Sequence, residues 1–416
     1  MAVRDAVTGY RGALADRDFR LLWLGSSVSL VGDGMTFVAL TWLVLSQPGG
    51  IQRLGLLTVC FTLPVIAGGL LVGPLLDRFD KRYVLATDSL LRGLAVASVP
   101  AVAGVFGSVP VVLPFFVAAF YGLLKMVPLA GFPAAIPELV DEGHRDAANA
   151  LEMLGFGITG MVGPALGGLL VAQIGAEGVL AFDAATYLVF AVTALAVRRP
   201  LRPGRRPRLR PGRSAAAPQV RRRWGRTLLR DRVLVTTTVA FMAFNIAEGM
   251  LLVVGPWLAK TQLPGGPQTL GLLFAALSVG ELLGALAAGA IRPRVDLLTA
   301  IGTVQIVAAL GFLGILAAPA SFGVGAGFLV IGLFSAPMTV WAQTLRMERV
   351  PAHERGRAFA ALRTLMQATP PIGAVLAAPL LNAELVGLSA FSMALLAGTP
   401  ALALFLPFSR RPRQAT

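Results

Sequence analysis

Long apolar runs recur along the whole of this 416-residue chain, and they restrict its fold more than any other feature. A helix of about 20 apolar residues is long enough to cross the ~30 Å hydrocarbon layer of a bilayer. Charged residues make up 14% of the chain, whereas soluble domains carry about 25%. The sequence therefore predicts an all-α membrane protein rather than a soluble one.

Twelve of these runs are predicted to be transmembrane helices. They cover residues 19–45, 54–75, 83–105, 109–136, 148–173, 179–197, 233–259, 269–291, 295–317, 320–344, 358–381 and 387–408. The first run follows a polar, Arg-containing segment and is too long for the apolar region of a cleavable signal peptide. An even number of crossings places both termini on the same side of the membrane.

The basic residues lie almost entirely on the side of the termini. Of the 36 Lys and Arg residues, only Arg53 and Lys260 fall in loops on the other side, while Arg92 and Lys125 fall inside predicted helices. Because basic residues are enriched in cytoplasmic loops, we expect a multi-pass protein of the cell membrane with both termini in the cytoplasm. The net charge of +15 is then a signal of topology.

The chain also contains an internal repeat of weak sequence similarity. Residues 54–73 resemble 270–289, residues 32–35 resemble 247–250, and residues 138–151 resemble 348–361. The three pairs occur in the same order and at nearly one shift, 216, 215 and 210 residues. We expect two six-helix bundles, residues 1–198 and 231–416, related by a pseudo-twofold axis along the membrane normal.

A basic linker, residues 199–230, joins the two predicted bundles. The wider loop 198–232 is rich in Arg, Pro and Gly, a composition that does not sustain a helix and stays extended in water. Anionic lipid is the expected partner of this loop. Nucleic acid is not expected, because Trp224 is the only aromatic residue available for stacking on bases.

The stretch GPLLDRFDKR, residues 73–82, resembles the cytoplasmic signature of the major facilitator superfamily. The matching residues are Gly73, Asp77, Arg78, Lys81 and Arg82, while Asp80 stands where the signature has its second glycine. The resemblance implies that the acid at Asp77 lies against the N-terminus of helix 11 and locks the cytoplasmic gate of the outward-open state. A carboxylate near a helix N-terminus gains about 0.3–1 kcal/mol. The alternative is simple positive-inside anchoring.

Helix 5 carries a second resemblance, to the antiporter signature of exporters in the same superfamily. Its residues are Gly163, Pro164, Gly167 and Gly168, within GFGITGMVGPALGG. Small residues allow close contact between helices, and proline bends them. The resemblance implies export, and glycine-rich packing without transport meaning is the alternative.

Two further stretches resemble the drug/proton antiporter branch that includes macrolide and siderophore exporters. They are DRDFRLLWLGSSVSLVGDGMTFVALTWLV in helix 1 and PELVDEGHRDAANALEMLG after helix 4. The resemblance implies a monomer that carries a small hydrophobic or amphiphilic substrate and protons, with no cofactor.

Ionisable residues at mid-membrane depth are costly and are therefore candidate functional residues. Asp33, Glu248 and Glu281 lie near the middle of helices 1, 7 and 8. The repeat pairs Asp33 with Glu248, which makes the three acids candidates for proton coupling. Alternatively, they are neutral packing groups or pair with Lys125, itself a candidate counter-ion or contact for an anionic substrate. Arg92 is expected at shallow depth, paired with Asp88 or reaching the interface.

Methionine and aromatic side chains suit large, varied apolar ligands. The candidates for the cavity lining on helices 1, 7 and 10 are Met35, Phe37, Phe244, Met250, Trp257 and Trp341. Packing and lipid contact are the alternative roles of these residues.

Together these features predict a secondary active exporter of hydrophobic or amphiphilic compounds, driven by proton antiport through alternating access. The chain has no G-x-x-x-x-G-K-[ST], H-E-x-x-H or G-x-S-x-G motif, so direct ATP hydrolysis and enzymatic activity are not expected. The single cysteine, Cys60, and the absence of a Cys/His cluster predict no disulfide and no metal. A metabolite-importing symporter and a lysophospholipid flippase of the same fold are the alternatives.

Overall fold

A computed structural model of the chain describes residues 10–201, 231–290, 293–350, 362, 365–366 and 368–406. The regular structure of these residues is helical. The helices of the first half are α1 Arg17–Ser46, α2 Gly50–Arg78, α3 Lys81–Phe106, α4 Leu113–Leu124, α5 Met126–Leu139 and α6 Arg145–Leu195. Those of the second half are α7 Arg232–Thr261, α8 Pro267–Ala290, α9 Leu297–Gly311, α10 Ser321–Arg349, α11 Pro370–Asn382 and α12 Val386–Gly398.

Ten helical segments in the described part of the chain are long and apolar enough to cross a membrane, which confirms the prediction of an all-α membrane protein. The predicted count of twelve is reached only when α11 is added and α6 is divided. The helix α6 contains two predicted crossings, separated by Gly175 at φ 76° and ψ 170°. Glycine adopts this left-handed backbone conformation without steric cost. The predicted start of helix 11 and the linker 202–230 lie outside the described residues.

Aspartates cap four helices that begin at the end of the molecule where most of the Lys and Arg residues lie. Asp16, Asp80, Asp231 and Asp296 precede α1, α3, α7 and α9, and each side chain accepts a hydrogen bond from a backbone N–H of the first turn. An N-cap of this kind stabilises a helix by about 1 kcal/mol. Asp16 and Asp231 are 215 residues apart, and Asp80 and Asp296 are 216 apart, which matches the shifts of the internal repeat.

The two halves pack internally and meet along a limited set of helices. Within the first half, α6 packs on α1 and α3; within the second, α10 packs on α8 and α9. Between the halves the main contacts are α6 with α8 and α2 with α11. At the end opposite the Asp caps, the Lys260 Nζ of α7 donates to the Leu45 carbonyl of α1. These contacts join the halves at that end.

Large apolar side chains remain exposed along the outside of the helices. Leu94, Val105, Phe116 and Phe322 are examples, and Phe322 is 91% exposed. A soluble monomer rarely exposes contiguous apolar surface on this scale. Such a surface is suited to contact with lipid chains.

Candidate transport site

A cavity of about 350 Å³ lies mainly against the first-half helices and reaches α7 and α11. The lining residues that carry polar or aromatic groups include Asp33, Phe37, Phe61, Tyr121, Lys125 and Thr159. Three residues predicted from the sequence, Asp33, Phe37 and Lys125, are therefore brought together in one space. Phe37 stacks at 5.5 Å, centroid to centroid, on Phe61, so one wall of this space is aromatic.

The helices α4 and α5 of the fourth crossing meet at Lys125, where the helical hydrogen-bonding pattern is broken although the backbone keeps helical angles (φ −50°, ψ −33°). Pro128 contributes to this break because it has no N–H to donate to the carbonyl of Leu124. Lys125 is exposed and lies close enough to Asp33 and Arg92 to interact with both electrostatically. Its Nζ makes no hydrogen bond or ion pair with another described residue. Its ammonium is thus free to contact a molecule in the cavity.

The Asp33 carboxyl is ion-paired with Arg92 rather than with Lys125. Arg92 Nη1 lies 3.2 and 3.3 Å from the two carboxyl oxygens of Asp33. The Tyr187 hydroxyl also donates to Asp33 Oδ1. The Asp33 side chain keeps 14% of its surface exposed, whereas that of Arg92 keeps 1%. Asp33 therefore connects the cavity to a buried charge network.

Asp88 holds the guanidinium of Arg92 from the other side. Arg92 Nε and Nη2 lie 3.0 and 2.7 Å from Asp88 Oδ2. The expected pairing of these two residues is present, but the expected shallow position of Arg92 is wrong. Asp33 and Tyr187, from helices distant in the sequence, enclose the guanidinium instead of leaving it at the membrane surface. Losing one partner of such a buried pair costs about 3–5 kcal/mol.

A further acid, Asp183 on α6, lies beside this network and is fully buried. The Thr36 hydroxyl of α1 donates to Asp183 Oδ2, and Thr186 Oγ1 lies 2.7 Å from Oδ1. Gly32 makes the contact possible, since a Cβ at that position would lie 1.8 Å from Asp183 Oδ1. The α1–α6 interface thus contains two acids, Asp33 and Asp183.

The acids of the second half are separate from this cluster. Glu248 on α7 is half-buried and Glu281 on α8 is exposed, and the two are near enough to interact electrostatically. Neither belongs to the lining of the cavity that holds Asp33. They therefore form a second acidic site, and no ion pair links them to another described residue.

Most of the predicted apolar lining residues pack in the core. Met35, Phe244, Met250 and Trp257 are buried and do not line the cavity. Trp341 is partly buried, and its indole N–H lies 3.4 Å from the Ala288 carbonyl. The helices that carry these residues are apolar on all sides, so the sequence did not reveal which side faces the cavity. Phe37 alone of the predicted apolar set lines it.

Two residues of the cytoplasmic signature, Lys81 and Arg82, form polar contacts with other residues of the first half. Lys81 Nζ donates to Glu138 at the end of α5, and Arg82 Nη1 lies 2.9 Å from the Val197 carbonyl. Asp77 is exposed, and its carboxyl has no hydrogen bond or ion pair with another described residue. Its expected partner, the start of helix 11, lies outside the described residues. Gly73 has open space around it, and Arg78 lies 5.7 Å from the Phe79 ring.

Asp80, the departure from the signature, forms the N-cap of α3. Its Oδ1 accepts from the Arg82 backbone N–H at 3.1 Å, and its Oδ2 accepts from Arg82 Nη2 at 2.9 Å. Burial acts to raise the pKa of this carboxyl, but the hydrogen bonds from Arg82 and from the Leu201 N–H hold the pKa below its ordinary value. An acid here closes the turn through side-chain bonds that a glycine lacks.

The glycine–proline motif of the predicted helix 5, residues 163–168, belongs to α6 and lies where α6 meets α1 and α8. Added Cβ atoms at Gly163 and Gly167 would lie within 3 Å of the α1 backbone, and one at Gly168 would lie 2.3 Å from the Pro267 carbonyl of α8. Pro164 packs at the same junction, against Gly34. The motif therefore allows close contact both within the first half and between the halves.

Sequence reasoning missed three residues: Tyr187 in the charge network, Asp183 beside it, and Tyr121, whose ring centroid lies 5.8 Å from the Arg92 guanidinium carbon. A signal for Asp183 was present, because it is the only charged residue in the predicted crossing 179–197, and an isolated acid at that depth is a functional candidate. The tyrosines had no such signal, since aromatic residues are common throughout membrane helices.

Comparisons with known proteins cover nearly the whole chain. A family model described as the Major Facilitator Superfamily matches residues 22–374. The multidrug efflux pump Tap of Mycolicibacterium fortuitum is 29% identical over 375 residues, which are 88% of each chain. Macrolide efflux protein A of Streptococcus pyogenes is 24% identical over 381 residues, which are 89% of this chain and 90% of that protein.

Solved structures show the same fold at low sequence identity. A mutant of the nucleoside transporter NupG superposes with a TM-score of 0.74 at 12% identity, covering 94% of this chain and all of that one. A bacterial homologue of the iron transporter ferroportin, in an inward-facing state, gives 0.66 at 15% identity, covering 93% of this chain and 98% of that one. At these identities the likeness concerns the fold alone.

Proposed function

The chain belongs to the major facilitator superfamily, and from this premise we propose that it exports hydrophobic or amphiphilic small molecules by proton antiport. Its relatives include a multidrug efflux pump and a macrolide efflux protein, which it matches over most of their length. The observation that carries the proposal is the cavity, in which an ion-paired acid and a free ammonium face the same space beside aromatic rings.

The cavity suits cargo with a flat apolar body and a polar group. The rings of Phe37, Phe61 and Tyr121 provide apolar surface, and pockets of this kind accept ligands of varied shape. Lys125 offers an ammonium to a carboxylate, phenolate or carbonyl oxygen of the cargo. Drug efflux is the export activity that this combination supports best.

Proton coupling is assigned first to Asp33, with Glu248 and Glu281 as the candidates in the other half. Protonation of Asp33 removes the negative charge that holds the Arg92 Nη1 group. The local charge and the packing of α1 on α3 and α6 then change together. Because Asp33 also lines the cavity, cargo and proton compete for the same region, which is the requirement for exchange.

The two halves are proposed to alternate between closure at one end and closure at the other. The Lys260 end is joined in this structure, and the basic end, with Gly73, Asp77, Arg78, Lys81 and Arg82, is assigned to the cytoplasm. The protein is proposed to work as a monomer in the cell membrane. Its 198–232 loop is proposed to contact anionic lipid.

The test is uphill transport in everted membrane vesicles, where export appears as uptake. We expect a macrolide and an amphiphilic fluorescent dye to accumulate when the vesicle interior is acidic, and an uncoupler to abolish this accumulation. Asp33→Asn should keep cargo binding but lose cargo-induced proton release. Glu142→Gln is the matched control, because Glu142 is an exposed acid in a loop and its removal should change neither quantity. Uncoupler-insensitive accumulation would contradict the proposal.

The same vesicles distinguish the alternatives. An importing symporter would accumulate cargo only in right-side-out vesicles with an outward-acidic gradient. A flippase would move a labelled lysophospholipid between leaflets, and macrolide would not compete with that movement.

A further inference from the structure

Asp183 is a buried acid that the proposed cycle does not yet use. It lies on α6 one turn before Tyr187, and it is 0% exposed. The charged groups near enough to interact with it are Asp33 of α1 and Arg92 of α3. Arg92 is already engaged by Asp33 and Asp88. No cation of the described residues therefore contacts Asp183, although a buried carboxylate without one is strongly disfavoured.

The hydrogen bonds around Asp183 indicate where a proton resides. Thr186 Oγ1 lies 2.9 Å from the Asp183 backbone carbonyl and 2.7 Å from Asp183 Oδ1. A hydroxyl has a single hydrogen to donate, and threonine hydroxyls in helices commonly donate it to a carbonyl of the preceding turn. The hydrogen between Oδ1 and Oγ1 then comes from the carboxyl. The Thr36 hydroxyl donates to the other oxygen, Oδ2, which completes the bonding of a neutral acid.

Asp33 shows the opposite pattern. Its carboxyl oxygens receive bonds from Arg92 and from the Tyr187 hydroxyl, and a group that only accepts is ionised. With Asp33 and Asp88 ionised, their charges balance those of Arg92 and Lys125. A proton on Asp183 leaves this part of the membrane interior without net charge.

We propose that Asp183 is a second proton-binding site of the transport cycle, occupied in this conformation while Asp33 is ionised. This inference rests on the proposed proton antiport. Thr36 and Asp33 lie on α1, and Asp183 and Tyr187 lie on α6, so both acids lie in one helix interface. A shift of α1 along α6 brings the two carboxyls together. The O–H bond of Asp183 then breaks as one forms on Asp33, Arg92 loses its Asp33 partner, and the total charge is unchanged.

Infrared difference spectroscopy on the protein in liposomes tests the protonation directly. We expect the C=O stretching band of a protonated carboxyl in the difference between wild type and Asp183→Asn, a variant close in shape to the neutral acid. The subtraction removes the bands of other acids, such as Glu248 and Glu281. Glu142→Gln, the exposed control, should keep the band. Thr186→Val should shift it, because the carboxyl loses its acceptor. In vesicles, Asp183→Asn should bind cargo within about twofold of wild type and lose uphill accumulation at least tenfold.

Two results would overturn the inference: no carboxyl band in the difference between wild type and Asp183→Asn, or uphill accumulation by that variant at the wild-type level. If Asp183→Asn does not fold, the decision rests on the wild type and Thr186→Val, and an unshifted band contradicts the assignment. The proposed antiport is tested separately, by measuring whether an uncoupler abolishes accumulation by the wild type. The infrared band does not depend on that response.

Discussion

At the scale of single residues, a missing side chain brings the buried acids together. A Cβ added at Gly32 would lie only 1.8 Å from Asp183 Oδ1 and 2.4 Å from Thr186 Oγ1. Real Cβ atoms do not approach oxygen so closely, and the carboxyl is fixed by its bonds to Thr36 and Thr186. Gly32 therefore sets the distance between α1 and α6 at the site.

Gly32→Ala is accordingly expected to destabilise the protein by about 1–3 kcal/mol, the usual cost of overpacking. The measurement is the free energy of unfolding in detergent, followed by tryptophan fluorescence. Gly104→Ala is the control, because Gly104 also lies inside a helix but has nothing within 4 Å of an added Cβ. Its substitution should be neutral or stabilising by up to about 1 kcal/mol. Equal effects of both substitutions would contradict the packing argument.

At this scale the sequence could predict which charged residues lie within apolar runs. It could not predict which side chains of other helices they meet. Asp33 stood out as an acid within an apolar run, and the structure places it in the cavity. Arg92 was misjudged because its partners Asp33 and Tyr187 come from other helices. Met35 was misplaced because a helix that is apolar all round gives no sign of which side packs.

At the scale of helices, aspartate caps decide where the crossings begin. Asp80 shows this best, because it occupies the glycine position of the cytoplasmic signature and yet closes the turn into α3. Only Phe79 and Asp80 separate α2 from α3. The bonding inside this turn was not predictable, since Arg82 and Leu201 come together only in the folded chain.

Removing the cap with Asp80→Ala is expected to lower the stability by about 1 kcal/mol at neutral pH. Because the pKa of Asp80 is lower in the folded protein than its ordinary value of 3.8, the ionised carboxyl stabilises the fold fully above pH 3.8. This contribution is lost as the pH falls through the lower, folded pKa. The difference between wild type and Asp80→Ala should therefore shrink in acid, as measured by unfolding in detergent at several pH values.

Asp80→Asn separates the cap from the charge, since asparagine caps helices about as well as aspartate. We expect it to keep most of the stability at neutral pH and to lose the acid dependence. A difference between wild type and Asp80→Ala that stays constant from neutral pH to strong acid would show that the charge of Asp80 does not matter.

At the scale of the whole molecule, the internal repeat explains how the halves meet. Lys260 of α7 and Leu45 of α1 are 215 residues apart, which is the shift that relates the two caps Asp16 and Asp231. The two residues are thus equivalent positions of the internal repeat. The repeat could be recognised in the sequence. A contact between equivalent residues could not be predicted, because it depends on how the two halves tilt.

This contact is a charge bound to a helix end. The last carbonyls of α1 have no partner within the helix, and a cation there gains about 0.3–1 kcal/mol. Lys260→Met is therefore expected to shift the ratio of closed to open molecules at this end by roughly two- to fivefold toward open. Spin labels on Gln52 and Gln262, exposed residues of the two halves at this end, report the change as a longer distance in pulsed electron resonance. Cys60→Ala supplies the cysteine-free background.

Arg53→Met is the matched control for Lys260→Met, because Arg53 is the other cation predicted in the loops of this end. Its Nη1 is buried without a hydrogen-bond partner among the described residues, so its loss removes a charge but no polar contact between the described parts of the two halves. We expect the label distances in Arg53→Met to match those of the parent. If both variants opened this end equally, a general loss of positive charge would account for the effect. If neither did, closure would depend on the glycine contacts of α6 with α8 and not on Lys260.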